Sequence, residues 1–345
     1  MKIAIDARMY QEAGVGRYIR NLIENLKKID KQNKYILFSP DIKWYSIKEQ
    51  IKLPGLLKSL KPDLVHFPHF NVPIFYKGKF VITIHDLIHQ HFSMQRATTH
   101  GTLIYKIKQL GYKKFFENAI KKAERILVPS NFVKNQLIND WEIKGSKIVV
   151  TYEAVDDKIL SIGNNLSLSK EKYIFYVGNA HPHKNVEGLI KAFLKLKINF
   201  PKLKLVLAGH DHYFWQRIKK EYQDKDIIYR GYVSDEELVT LYKNAGCFVM
   251  PSFEEGFGIP LLEAMALGCP VVSSNAGSLP EIGGDAAIYF DPHSEKDIIT
   301  KISMVLDNEN LRKDLIKKGL QRYKKFSWKK MAKQTLEVYE SCYSS

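Results

Sequence analysis

Two glutamates eight residues apart, Glu255 and Glu263, bracket the turn Gly256-Phe257-Gly258-Ile259-Pro260. A carboxylate accepts through two oxygens and suits a ligand that presents adjacent hydroxyls. Gly256 and Gly258 let the backbone come close to such a ligand. Pro260 fits the first turn of a following helix, which places the amides of Phe257, Gly258 and Ile259 at a helix N-terminus, open to electronegative oxygens. Glu263 is expected in that first turn, where the dipole favours its charge.

A second group is Val177-Gly178-Asn179-Ala180-His181-Pro182-His183-Lys184-Asn185. Lys184, near a helix start, offers a point charge for a diphosphate beside helix amides. Towards the N-terminus, Gly14-Val15-Gly16-Arg17 opens another helix. A glycine pair of that kind serves either a phosphate loop or close helix–strand packing. Thr83-Ile84-His85-Asp86-Leu87 ends an apolar strand and presents His85, with Asp86 expected to fix its ring. Asp63-Leu64-Val65-His66-Phe67-Pro68-His69-Phe70-Asn71 ends another, which makes His66, His69 and Asn71 ligand-site candidates, with His89, His91 and His100 behind them. Asp224-Lys225-Asp226 has the spacing of a metal-binding carboxylate pair. It lies in a polar stretch before a strand and reads as a solvated turn, so no metal and no cofactor are expected.

Positioning these groups requires strands that end together. Apolar runs predict strands at 2–6, 35–38, 64–67, 80–84, 125–128 and 147–150, and again at 173–177, 203–208, 227–230, 247–250, 270–273 and 287–290. Segments with three- and four-residue apolar spacing fall between them, including 16–28, 103–122, 185–197, 235–243, 260–267 and 294–306. Buried-looking strands alternating with helices imply parallel sheets covered on both faces, and the pattern occurs twice. The polar stretch 156–171 reads as a hinge without structure of its own. Ligands of such sheets bind beyond the carboxyl ends of the strands.

A chain of 345 residues accommodates two domains. Its 45% hydrophobic and 26% charged content excludes a disordered or fibrous chain. The three cysteines, Cys247, Cys269 and Cys342, form no CxxC pair, which argues against a disulfide framework or a zinc site. The start Met1-Lys2-Ile3-Ala4-Ile5-Asp6 meets charge too early for a signal peptide, and no apolar run approaches bilayer length; a cytoplasmic location is expected. The net charge of +16 is uneven: residues 1–170 carry 28 Lys and Arg against 15 Asp and Glu, and residues 171–345 carry 25 against 22. A basic half implies an anionic partner such as a membrane surface, and Tyr105–Phe116 interleaves basic and apolar residues as interfacial helices do. Nucleic acid is not expected, because these residues form no recognition element.

From about Tyr173 to Pro292 the sequence resembles the retaining GT-B glycosyltransferases of family 4, also called glycosyl transferases group 1. The resemblance rests on Glu255 to Glu263 with Gly256-Phe257-Gly258-Ile259 inside, on Ala264–Val272, on Ala276–Glu281 and on Gly231–Leu238. It implies two Rossmann-like domains facing across a cleft: residues 1–165 for the acceptor, residues 166–325 for a nucleotide-sugar donor, and a terminal helix, 326–345, returning to the first domain. Glu263 would hold the donor ribose, and Glu255 with Phe257, Gly258 and Ile259 the transferred sugar. Tyr232 and Val233 would line the base pocket. Lys184 and Gly178 would meet the donor phosphates from one side and Gly14 and Gly16 from the other. His85 would lie near the reacting sugar, giving His85, Glu255 and Lys184 catalytic roles, with His69 and Asn71 towards the acceptor. Asn179 stands where many members have an arginine, which leaves Lys184 as the main positive charge.

The implied reaction is metal-independent hexosyl transfer with retention, from GDP-mannose in preference to a UDP-sugar, onto a glycan or lipid-linked acceptor in polysaccharide or glycolipid synthesis. A sugar-nucleotide epimerase or a non-catalytic nucleotide-binding scaffold is the alternative. The scaffold is disfavoured because Glu255, Lys184 and His85 are all present.

Overall fold

The computed structural model describes residues 1–12, 14–44, 46–91, 102–164 and 173–344, and among them the chain forms two compact units. The first unit comprises Met1–Glu153 and Trp328–Ser345; the second is Ala154–Ser327.

The first unit runs β1 (Lys2–Asp6), α1 (Gly14–Ile29), β2 (Lys34–Phe38), α2 (Ile47–Leu60), β3 (Leu64–Phe67), β4 (Phe80–Thr83), α3 (Ile88–His91), α4 (Thr102–Lys122), β5 (Arg125–Val128), α5 (Asn131–Trp141) and β6 (Ile148–Val150). Its six strands are all parallel, in the order β2-β1-β3-β4-β5-β6. Every residue of β3 and β4 is buried, as expected of strands covered on both faces. After β1 the chain builds β2 on one side and then returns to build β3 on the other. The β1/β3 junction is therefore a topological switch point, where the loops beyond the strands diverge and leave room for a ligand.

The second unit runs α6 (Asp157–Asn164), β7 (Tyr173–Val177), α7 (Val186–Asn199), β8 (Lys204–Ala208), α8 (Tyr213–Glu221), β9 (Ile227–Gly231), α9 (Asp235–Asn244), β10 (Cys247–Met250), α10 (Ile259–Ala266), β11 (Val271–Ser274), α11 (Leu279–Gly283), β12 (Ala287–Phe290), α12 (Glu295–Asp307) and α13 (Glu309–Arg322). Its parallel sheet has the order β12-β11-β10-β7-β8-β9, with the switch point between β7 and β10. Cys247 and Phe248 pair with Ile174 and Phe175, so the loops after β7 and β10 leave the sheet side by side. The last helix, α14 (Trp328–Ser344), packs on α1 in the first unit.

The strands form where the apolar runs predict them. The hinge expectation for residues 156–171 needs correction. Its first half is α6, with Ile159 buried and α6 packed on α9. Lys158 pairs with Asp235 at 2.6 Å, and the Lys243 ammonium caps the helix through the Gly163 carbonyl. Residues 165–172 lie outside the described residues. In α4 the side chains of residues 105–110 and 112, on which the interfacial-helix expectation rests, also lie outside the described residues; Phe116 is fully buried against Phe70 and Trp141.

The two glycines that open α1 differ physically. A Cβ on Gly16 would stand 2.6 Å from the Tyr10 carbonyl oxygen and 2.8 Å from that of Met9, whereas one on Gly14 would meet nothing within 4 Å. Gly16→Ala must displace the turn after β1, and overpacking of this kind costs about 1–3 kcal/mol. Denaturant unfolding is expected to show that loss for Gly16→Ala and almost none for Gly14→Ala; equal stabilities would contradict the packing role of Gly16.

Candidate active site

At the second unit's switch point the loop after β7 delivers Lys184 to the loop after β10. Its ammonium donates to both Glu255 oxygens at 2.8 Å, with the two side chains 18% and 8% exposed. Ser252 Oγ donates to Glu255 Oε1 at 2.6 Å, so the carboxylate is held from two directions. The two loops are also tied through the backbone. Phe253 N donates to the His183 carbonyl at 2.7 Å, and Asn185 Nδ2 reaches the Pro251 and Pro292 carbonyls at 3.1 and 3.0 Å. Ser278, which follows β11, fixes the turn from below: its N–H and Oγ donate to the Glu255 carbonyl at 3.1 and 3.0 Å, and its Oγ also lies 3.0 Å from the Phe257 carbonyl.

Gly258 caps α10 with φ of 101°, a conformation that L side chains rarely adopt, and Pro260 follows in the first turn. Ile259 begins the helix; Pro260 carries no N–H, and Leu261 N donates to the Gly258 carbonyl at 3.1 Å, so the turn itself takes one of the first amides of α10. The helix begins one residue earlier than the sequence indicates, which puts Glu263 in the second turn rather than the first and removes the end-of-helix dipole argument for it. Its partner is instead a side chain. Glu263 is 2% exposed, and the hydroxyl of the buried Tyr242 donates to its Oε2 at 3.0 Å.

Gly178 follows β7, and Asn179 Oδ1 accepts from His181 N at 3.2 Å, stiffening the loop that carries Lys184. Tyr232 is 70% exposed beyond β9 and Val233 is half-buried. His210, absent from the sequence-based set, lies beyond β8 with its ring centroid 4.7 Å from that of Tyr232, so two aromatic faces meet there. Asp224 and Asp226 pair with Lys197 of α7 at 2.8 and 2.5 Å, in keeping with a turn that binds its own lysine.

In the first unit, His85 follows β4 and is half-buried. Its Nδ1 lies 3.0 Å from Glu153 Oε1 and its Nε2 3.1 Å from the Pro68 carbonyl oxygen. The expectation that Asp86 fixes this ring is corrected: Asp86 Oδ1 accepts from Ile88 N at 3.1 Å, and the ring is held by Glu153. Burial opposes the charged form of His85, but the Glu153 hydrogen bond and charge, the Asp86 charge and the Pro68 carbonyl outweigh it and raise the pKa above the ordinary histidine value.

His66 is not a ligand-site residue. It is fully buried between Tyr339 OH at 2.6 Å and Thr83 Oγ1 at 2.8 Å, and burial, with the nearby His85 charge, lowers its pKa to about 3. It is a neutral pin between the sheet and α14. His69 and Asn71 lie beyond β3, at the first unit's switch point. His69 Nδ1 accepts from Asn71 N at 3.3 Å, and Asn71 Nδ2 donates to Glu49 Oε1 at 2.9 Å. They border a small hollow with Asp6, Arg8 and Trp44, in which Arg8 bridges Asp6 and Glu49 at 2.6 and 2.5 Å. His100 and the side chains of His89 and His91 lie outside the described residues.

Comparison with known proteins bears on this arrangement. Residues 158–322 match the family model described as glycosyl transferases group 1, and residues 28–158 match that of glycosyltransferase family 4. The chain is 32% identical over 300 residues to O-antigen chain mannosyltransferase B of Escherichia coli, an alignment covering 82% of this chain and 76% of that protein. It is 28% identical over 305 residues to the serotype-specific mannosyltransferase WbdA of Escherichia coli, where 80% of this chain spans 34% of that longer protein. Among solved structures, Anabaena HepE in complex with UDP and glucose superposes with a TM-score of 0.74 at 15% identity, covering 99% of this chain and 100% of that one. Among the described residues no helix is long and apolar enough to cross a membrane. Two parallel six-stranded sheets, the Lys184–Glu255 junction and these matches lead to one assignment: the chain belongs to the GT-B glycosyltransferases of family 4, the glycosyl transferases group 1.

Proposed function

We propose that the protein transfers a hexose, mannose by preference, from GDP-mannose to a glycan or lipid-linked acceptor during assembly of a surface polysaccharide or glycolipid, with retention at the anomeric carbon and without a metal. The observation that carries the reading is the junction at the second unit's switch point. It sets one ammonium, one carboxylate and a helix N-terminus around a single turn. A nucleotide-sugar needs a cation and amides for its diphosphate and acceptors for its sugar hydroxyls.

In this reading Lys184 and Gly178 meet the donor phosphates, Glu255 with Phe257, Gly258 and Ile259 holds the hexose, and Glu263 holds the ribose. Tyr232 and Val233 receive the base. Cleavage of the glycosidic bond leaves negative charge on the diphosphate, which fixed positive groups stabilise without reorganising. The first unit supplies Gly14 and Gly16 towards the phosphates, His85 towards the reacting sugar, and His69 and Asn71 towards the acceptor. Because Gly14 has open space around it, Gly14→Ala separates function from fold: full stability with impaired transfer supports a close approach of donor to that backbone.

The mannose preference is supported by the names of the two Escherichia coli relatives, and a UDP-sugar is the second reading. An anionic membrane surface at the cytoplasmic face, where lipid-linked acceptors are presented, fits the basic balance of residues 1–170. A thermal-shift panel of GDP- and UDP-sugars tests the donor. A donor at 100 times its Kd stabilises by about 2.7 kcal/mol, so GDP-mannose is expected to raise the melting temperature most. A flat response to every nucleotide-sugar would remove the proposal.

A further inference from the structure

Both ring nitrogens of His85 face atoms that can only accept. Nδ1 lies 3.0 Å from a Glu153 carboxylate oxygen, and Nε2 lies 3.1 Å from the carbonyl oxygen of Pro68. A neutral imidazole carries one N–H, so its other nitrogen would set a lone pair against one of these oxygens; the imidazolium donates to both. His66 supplies the contrast within the same unit. Its nitrogens meet two hydroxyls, Tyr339 OH and Thr83 Oγ1, each able to donate or accept, and a neutral ring satisfies both.

We infer that Glu153 is a positioning residue that holds His85 as an imidazolium, its Nε2–H resting on the Pro68 carbonyl until a substrate oxygen takes that place. The inference rests on the glycosyl-transfer reading for what the charge does, and on hydrogen-bond geometry alone for its existence.

The groups facing His85 come from every neighbouring segment. Glu153 lies beyond β6, and Asp86 follows His85 beyond β4. From β3 comes His66, held neutral by burial. From α1 comes Tyr18, its ring edge-on to His85 at 4.9 Å between centroids. Burial pushes the Tyr18 phenol upward, so it too is uncharged. Among the described residues, the negative charges acting on the ring are thus Glu153 and Asp86, and of these two Glu153 is the one hydrogen-bonded to it. A ring in this state has no lone pair with which to act as a general base. It can donate Nε2–H to an oxygen that gains negative charge in the transition state, a role that disappears once the proton is lost at high pH.

The test is a pH titration of the His85 Cε1–H resonance in the full chain without ligand, assigned by its disappearance in His85→Gln. The wild-type midpoint is expected above about 6.5, the ordinary histidine value. In Glu153→Gln, which keeps an oxygen for Nδ1–H but removes the charge, the midpoint is expected to fall below that value, and Glu153→Asp should restore part of the rise. In a transfer assay, the alkaline fall of kcat should move to lower pH in Glu153→Gln together with the NMR midpoint, with the donor KM little changed. A wild-type midpoint at or below the ordinary value, or an identical midpoint in Glu153→Gln, overturns the inference. If Glu153→Gln does not fold, the wild-type titration decides alone. A raised midpoint in a protein that transfers no sugar would keep Glu153 in its role and remove the glycosyl-transfer reading instead.

Discussion

Lys184→Met is expected to lower kcat by roughly 10²–10³-fold, the loss typical when one preorganised group facing a developing negative charge is removed. The structure adds a complication that the sequence does not show: the ammonium is already bound by both oxygens of Glu255. A diphosphate must therefore compete with, or share, that carboxylate. Two variants should then move nucleotide binding in opposite directions. Glu255→Gln frees Lys184 from its anionic partner and should bind GDP more tightly, while its turnover falls because the hexose loses an acceptor. Lys184→Met should bind GDP more weakly and also lose stability, since Glu255 is left almost buried without its counter-ion; removing one partner of a fully buried pair costs about 3–5 kcal/mol, and partial exposure here reduces that. Calorimetric titration of GDP into both variants, with denaturant melts alongside, separates these effects. Wild-type turnover in Lys184→Met would sink the assignment of the diphosphate to this junction.

The residues of that junction were legible in the sequence, but their pairing was not. Gly256–Pro260 announces its own geometry, because a glycine pair followed by proline can do little else before a helix. Lys184 and Glu255 are 71 residues apart, and only the adjacency of β7 and β10 brings them together. The strands were legible because both sheet faces are covered, leaving short apolar runs with no competing period. Where exposure interrupts a pattern, the reading fails. Helix α2 carries Ile47 at 80% and Ile51 at 67% exposed and contains Pro54, so no amphipathic stripe marks it. Helix α6 has only eight residues, and besides the buried Ile159 it is held by lysine contacts made with α9. His66 lies within an apolar run and His85 at the end of one, and that setting nominates both from the sequence. What separates them is the partners, hydroxyls for one and a carboxylate with a carbonyl for the other, and those partners come from segments as distant as Glu153 and Tyr339. Local spacing can nominate such residues but cannot choose between a structural pin and a charged site group.

Glu263→Ala should raise the donor KM by roughly 10–100-fold with kcat at saturation nearly unchanged, because a hydrogen bond to a charged group contributes about 1.5–3 kcal/mol and the ribose is remote from the bond that breaks. The change must be distinguished from local collapse, since Glu263 is buried and accepts from Tyr242. The geometry provides the means. The Tyr242 hydroxyl also lies 3.2 Å from the Pro260 carbonyl, so it keeps a partner when the carboxylate is removed, and the variant should remain folded. Tyr242→Phe is the matching control: it removes the clamp while leaving the carboxylate, and should raise KM less than Glu263→Ala. If the two substitutions raise KM equally, Glu263 serves only to anchor Tyr242 and α10. If Glu263→Ala lowers kcat with KM unchanged, the carboxylate acts at the reacting sugar, and the ribose must be held elsewhere.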